Sequence, residues 1–176
     1  MSQRFVISDT HFGHKGILTK PDRGAMFRDV HHMDSHMIHQ WNSVTNKRSI
    51  VYHLGDFCMH DANYTEDLLK RLNGHIVIIA GNHDDNLPNV EYVYGALKKR
   101  VHGKSVIMTH IPIHPQEFYR WKYNVHGHLH ENRVWTNWRQ DATGSVTGTI
   151  PDKRYINVSV EQLNYTPTPL EQVIPK

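Results

Sequence analysis

Branched apolar residues recur along the chain in short runs, each closed by glycine or a polar residue. The clearest is Ile76-Val77-Ile78-Ile79, closed by Ala80 and Gly81. Apolar side chains on both faces of such a run mark a strand buried between two layers. Arg4–Ser8, Ser49–Leu54, Lys104–Thr109, Tyr123–Val125 and Tyr155–Val160 predict further strands. Helical spacing takes over after Asp29, an N-cap candidate, and runs to about Val44. Val30, Met33, Met37, Trp41 and Val44 fall within about 80° of arc at ~100° per residue, a buried stripe. A second helix carries Leu68, Leu69 and Leu72, with Asn63 or Thr65 as its cap and Asn73-Gly74 as its stop. The stretch from Asp85 to Arg100 opens on the turn residues Asn86 and Pro88 and has no decided period. Glu131 to Lys153, with Trp135, Gly144, Gly148 and Pro151, reads as a hairpin or surface excursion. The tail, with Pro167, Pro169 and Pro175, reads as irregular surface cover.

Strands and helices alternate in the first half, which implies parallel βαβ units. The second half is richer in strand. It implies either one mixed sheet or two sheets packed face to face with helices outside. The 176 residues, without repeat or linker, fit a single domain spanning 1–176.

Composition narrows the class. No apolar run approaches the ~20 residues of a membrane span, and the first residues lack a signal-peptide pattern. A single cysteine, Cys58, fits a reducing compartment, so a cytoplasmic location is expected. The net charge of +3 favours anionic partners slightly. The basic residues are scattered, and no contiguous basic groove for nucleic acid is visible. Histidine is the outlier, with 16 residues and no consecutive run beyond the pair His31-His32. His32, His36 and His39 are spaced like metal ligands, but on the helical wheel they lie roughly opposite the apolar stripe. They are expected to face solvent.

The other candidates gather where strands end: Asp9 and His11; Asp56; Asn82, His83 and Asp84; His110; His126 and His128. Every candidate ligand is oxygen or imidazole nitrogen. So many candidates exceed one tetrahedral zinc but suit two cations that share a carboxylate and keep open positions. Asp56, alone on its turn, is the natural bridge. Mixed carboxylate and imidazole ligation suits manganese, iron, zinc or a similar divalent ion. Singly, each residue has an ordinary reading: Asp9 as an N-cap, Asp56 as a turn residue, His110 as a satisfied core histidine. The joint pattern outweighs those readings.

In order, Asp9-Thr10-His11, Gly55-Asp56, Gly81-Asn82-His83-Asp84, Thr109-His110 and Gly127-His128-Leu129-His130 resemble the motifs of the calcineurin-like metallophosphoesterase superfamily. The match covers residue 5 to about 130, and its subgroup is the small phosphoesterases common in bacteria and phages. The last motif offers two frames, His126 with His128 or His128 with His130. Only the second has glycine directly before the first histidine, as the family's pattern requires.

The resemblance implies a four-layer α/β/β/α sandwich of two mixed β-sheets flanked by helices, with the metal site at the strand C-terminal ends. It implies that Asp9, His11 and His130 hold one divalent ion, that Asn82, His110 and His128 hold a second, and that Asp56 bridges them. His114 is the alternative to His110. Manganese leads as the metal, with iron, zinc, nickel or magnesium also compatible. Two such ions, about 3.5–4 Å apart, hold a water as hydroxide between them for attack on phosphorus. His83 then serves as general acid, oriented by Asp84. His14 and Asn82 are placed to reach the substrate phosphate.

The implied reaction is hydrolysis of a phosphate ester. A phosphodiester or nucleotide is favoured, because the chain has no long insertion to cap the site. Phe118, Tyr119, Trp121 and Tyr123 form either a wall for a nucleobase or a plain hydrophobic patch. Two other readings compete: a catalytically silent metal-binding scaffold for protein contacts, and a metal-dependent nuclease.

Overall fold

Alternation along the strands decides the layering. In β1 (Arg4–Ile7) Phe5 and Ile7 point one way and Val6 the other; β2 (Ile50–His53) and β3 (His75–Ile79) repeat the division. One set, with Val51, Ile76 and Ile78, packs under the helices that carry Met33, Met37, Trp41 and Leu68. The other, with Tyr52, Val77 and Ile79, meets Val101, Val106, Met108 and Val125 of a second sheet. Strands apolar on both faces therefore sit in the middle of the molecule. A computed structural model shows this arrangement and describes residues 2–84, 87, 90–93, 95–140 and 142–176. Asn86 and Pro88 lie outside the described residues.

After β1 come α1 (Pro21–Met26) and α2 (Val30–Val44); β2, α3 (Ala62–Arg71) and β3 follow. Then come β4 (Glu91–Val93), β5 (Ala96–Val101), β6 (Lys104–Thr109), β7 (Tyr123–His126), β8 (Trp135–Gln140), β9 (Val146–Pro151) and β10 (Tyr155–Asn157). The chain ends with β11 (Thr168–Pro169) and α4 (Leu170–Val173). The first sheet has the order β11-β1-β2-β3-β4 and the second β10-β7-β6-β5. Each is mixed: β1 to β4 run parallel with β11 reversed, and β10, β7 and β6 run parallel with β5 reversed. Hairpin β8–β9 forms a separate two-stranded sheet. On the outer face of the second sheet the helical cover includes the 3₁₀ turn Pro115–Tyr119, whose Phe118 packs on Tyr155. No helix among the described residues is long and apolar enough to cross a membrane.

Several expectations need correction. Asp29 caps α2, accepting from His32 N at 2.8 Å, but the buried face is wider than the predicted stripe. Asp34 and Ile38 join it, while Val44 at the last turn is exposed. His36 lies nearest the stripe's edge and is half-buried against Phe27 and Tyr165. Asp61 caps α3, not Asn63 or Thr65, and accepts from Tyr64 N at 2.8 Å. The last predicted strand stops at Asn157, whose Oδ1 accepts from Ser159 N and Oγ and bends the chain.

The tail is structural. β11 pairs antiparallel with β1, and Leu170 and Ile174 enter the core between the sheets. Leu170 is 0% exposed. Leu170→Ala is therefore expected to cost about 3 kcal/mol, measured by urea unfolding. A loss below ~1 kcal/mol would show that the tail only covers the surface.

Candidate metal centre

Parallel pairing lines up the strand ends. Ile7 stands beside His53, His53 beside Ile78, and Thr109 beside His126. The loops that leave these ends are stitched together: Asp9 N donates to Gly55 O and His11 N to Asp56 O, each at 3.0 Å, and Gly127 N donates to His110 O at 2.9 Å. An open α/β sheet builds its sites at this edge.

Two groups result. Ligand-capable atoms of Asp9, His11 and His130 lie within 4.8 Å of one another, and so do those of Asp56, His110 and His128. Asp56 joins the groups: its Oδ2 is 3.5 Å from His11 Nε2 and 3.5 Å from His110 Nε2. Asn82 belongs with the second group, its Oδ1 3.0 Å from His110 Nε2. His128 Nδ1 is 3.2 Å from that same nitrogen.

The donor chemistry fits cations. His110 Nδ1 gives its proton to Leu54 O at 2.7 Å, since a carbonyl can only accept. That leaves Nε2, which faces Asn82 Oδ1 and His128 Nδ1, as the nitrogen that would meet a cation. His11 Nε2 is buried with no hydrogen-bond partner among the described residues. Burial first, then the charges of Arg23, His130, His14 and His83, push its pKa down to about 2. It is a neutral imidazole with a free lone pair.

The backbone bends to present these groups. Asp9, His11, Asp56, His128 and His130 have φ of 59°, 50°, 56°, 69° and 51°, the left-handed region. Two glycines make room. A Cβ on Gly81 would stand 2.4 Å from Asp56 Oδ1, and one on Gly127 would stand 2.5 Å from Asp9 Oδ2.

The expected residues have distinct fates. His14 lies at the cleft of about 370 Å³ that is also lined by His11, Lys20, Asp56, His83, His128 and His130. His83 is exposed there, and its backbone N donates to Asp56 Oδ1 at 3.0 Å. Asp84 requires a correction. Its carboxylate accepts from Asp56 N (2.7 Å), Phe57 N (2.9 Å) and Gly81 N (2.9 Å), so it clamps the Asp56 turn rather than the His83 ring. His114 caps the 3₁₀ turn through Gln116 N, away from the ligand groups. His126 is buried, with Nδ1 against Gly127 O at 2.8 Å. Phe118 pairs with Tyr155 and with Arg154, Trp121 with Lys98, and Tyr123 with Lys104; none of these aromatics is among the residues lining the cleft.

Four supporting residues escaped sequence reasoning. His53 lies against Thr10 Oγ1 at 3.0 Å, and burial pushes its pKa down to about 3. Ser159 Oγ donates to Asp9 Oδ2 at 2.9 Å. Arg23 is fully buried; it donates to Thr10 O at 3.0 Å, to Glu161 Oε1 at 2.7 Å and to Asp9 O. Glu161 also receives His130 Nδ1 at 3.0 Å. Burial works to raise the Glu161 carboxyl, but the His130 and Arg23 contacts outweigh it and hold it at about 2. Glu161 follows a predicted strand, as the ligands do, and that position was its one legible signal. Arg23, inside a connecting segment, had none.

No family model matches the chain. An uncharacterized protein of Methanocaldococcus jannaschii, MJ1445, is 32% identical over 182 residues, covering 99% of this chain and 90% of that protein. Among solved structures, a protein of unknown function from Aquifex aeolicus, AQ665, superposes with a TM-score of 0.71 at 23% identity, over 98% of each chain. That likeness shows the fold. A nuclease MPE from Pseudomonas putida has a TM-score of 0.48 at 19% identity, covering 72% of this chain and 61% of that one. The chain belongs to the family of the M. jannaschii protein, and its ordered motifs, which the fold brings together, resemble those of the calcineurin-like metallophosphoesterase superfamily.

Proposed function

We propose that the protein hydrolyses phosphate esters, phosphodiesters or nucleotides foremost, at a pair of divalent cations, with manganese the leading metal. The observation that carries this reading is Asp56 Oδ2, equally distant at 3.5 Å from an imidazole of each ligand group. Asp9, His11 and His130 would hold one cation, Asn82, His110 and His128 the other, and Asp56 both. When bound, such a pair would supply positive charge for the ester oxygens and acidity for a water that attacks phosphorus. The chain's own part is to fix those ligands, and Asp84 does so for the Asp56 turn through three backbone donors. His83, exposed at the cleft, hands a proton to the departing oxygen. His14, lining the same cleft, contacts the phosphate. A lone buried Cys58 fits the reducing cytoplasm as its location.

The test is hydrolysis of bis-p-nitrophenyl phosphate and p-nitrophenyl phosphate after chelation, with manganese, iron, zinc, nickel or magnesium restored singly. Diester cleavage that vanishes on chelation and returns with manganese is expected. Silence toward both substrates with every metal would leave the scaffold reading in its place. His83→Ala should keep its metal content and lose about 10²-fold or more on alkyl leaving groups, with a much smaller loss on p-nitrophenolate. Equal losses on both would remove His83 from proton transfer.

A further inference from the structure

The imidazoles of the two ligand groups are supported unequally. His110 gives its Nδ1 proton to a neutral carbonyl, Leu54 O, at 2.7 Å. His11 Nδ1 meets only the thioether of Met59, at 3.1 Å. His130 Nδ1 alone meets a carboxylate side chain, Glu161 Oε1, at 3.0 Å. A carboxylate can only accept, so Nδ1 carries the proton and Nε2 the lone pair. The anion also makes that lone pair more basic than a carbonyl partner would.

Glu161 is itself fixed. Arg23, 0% exposed, gives Nε to the same Oε1 at 2.7 Å, while its other nitrogens hold Thr10 O and Asp9 O. One buried ion pair thus spans all of one group: the guanidinium holds the turn that bears Asp9 and His11, and the carboxylate holds His130. The group of Asp56, His110 and His128 has no such pair among the described residues.

We infer that Glu161, locked by Arg23, is a positioning residue that makes the two cation positions unequal and confers extra affinity on the Asp9–His11–His130 position. This rests on the reading that both groups hold cations. Removing such an outer carboxylate weakens metal binding by about 10- to 100-fold. The wild-type protein therefore fills the Asp9–His11–His130 position first, and the loss in a Glu161 variant falls on that first uptake.

Manganese titration of the metal-free protein, followed by electron paramagnetic resonance, separates the cases. Filling both positions gives an exchange-coupled pair, and filling one gives an isolated-ion spectrum. In Glu161→Gln, which keeps the volume and removes the charge, the manganese concentration at which the first, isolated-ion signal appears should rise about 10- to 100-fold. Half-maximal coupling, set by the weaker position, should stay near its wild-type concentration. A first signal at the wild-type concentration overturns the inference. If Glu161→Gln does not fold, Glu161→Asp carries the test: a smaller rise supports the inference, and no rise overturns it. A wild-type protein that takes up no manganese instead refutes the proposed function.

Discussion

Asp56→Asn is expected to lower diester turnover by at least about 10³-fold. The two carboxylate oxygens of Asp56 have different duties: Oδ1 accepts from His83 N at 3.0 Å, and Oδ2 stands 3.5 Å from both His11 Nε2 and His110 Nε2. An amide has one acceptor oxygen and one NH₂. The oxygen must stay with the His83 N–H, because two donors would otherwise face each other. The NH₂ then occupies the position between the two groups, where it has no lone pair to offer. The negative charge that both cations would share is lost as well. Elemental analysis should find fewer than two metal ions per chain. Turnover above a tenth of wild type with both ions bound would refute the bridging role.

Gly127→Ala is expected to lower turnover by about 10²-fold or more and to destabilise the protein by about 1–3 kcal/mol. The new Cβ would lie 2.0 Å from Ser8 Oγ and 2.5 Å from Asp9 Oδ2. Ser8 cannot yield easily: it is 0% exposed and its hydroxyl donates to Leu54 O at 2.7 Å. Asp9 would move, and its carboxylate would lose His128 N at 2.9 Å, the contact that joins the two ends of the ligand set. Steady-state kinetics measures the first effect and urea unfolding the second. Wild-type values in both would show that the His126–His128 turn shifts freely.

Much of this was legible because apolar runs and polar ends carry independent signals. Ile76–Ile79 could be buried on both faces only as a middle strand, and the residues after it could gather only at one edge. Asp29 announced α2 because the stripe begins directly after it. Asp61 was harder, since Ala62, Asn63 and Tyr64 follow it and the first leucine is Leu68. The tail misled through its prolines: Pro169 sits on an edge strand, where a missing N–H is tolerated. Asp84 misled through adjacency to His83, yet its carboxylate turns back to backbone donors from residues 56, 57 and 81. Arg23 and Glu161 are 138 positions apart, a pairing no local spacing can announce.

Five of the candidate ligand residues hold a twist that L-amino acids resist. At the lower end of about 1 kcal/mol each, they set aside about 5 kcal/mol, comparable with the whole net stability of many domains. A chain selected only for sturdiness would carry glycine at these places. Asp9, His11, Asp56, His128 and His130 are therefore a standing debit that the sheets, the buried guanidinium and the tail together offset, and ease of folding is not the reason for their presence.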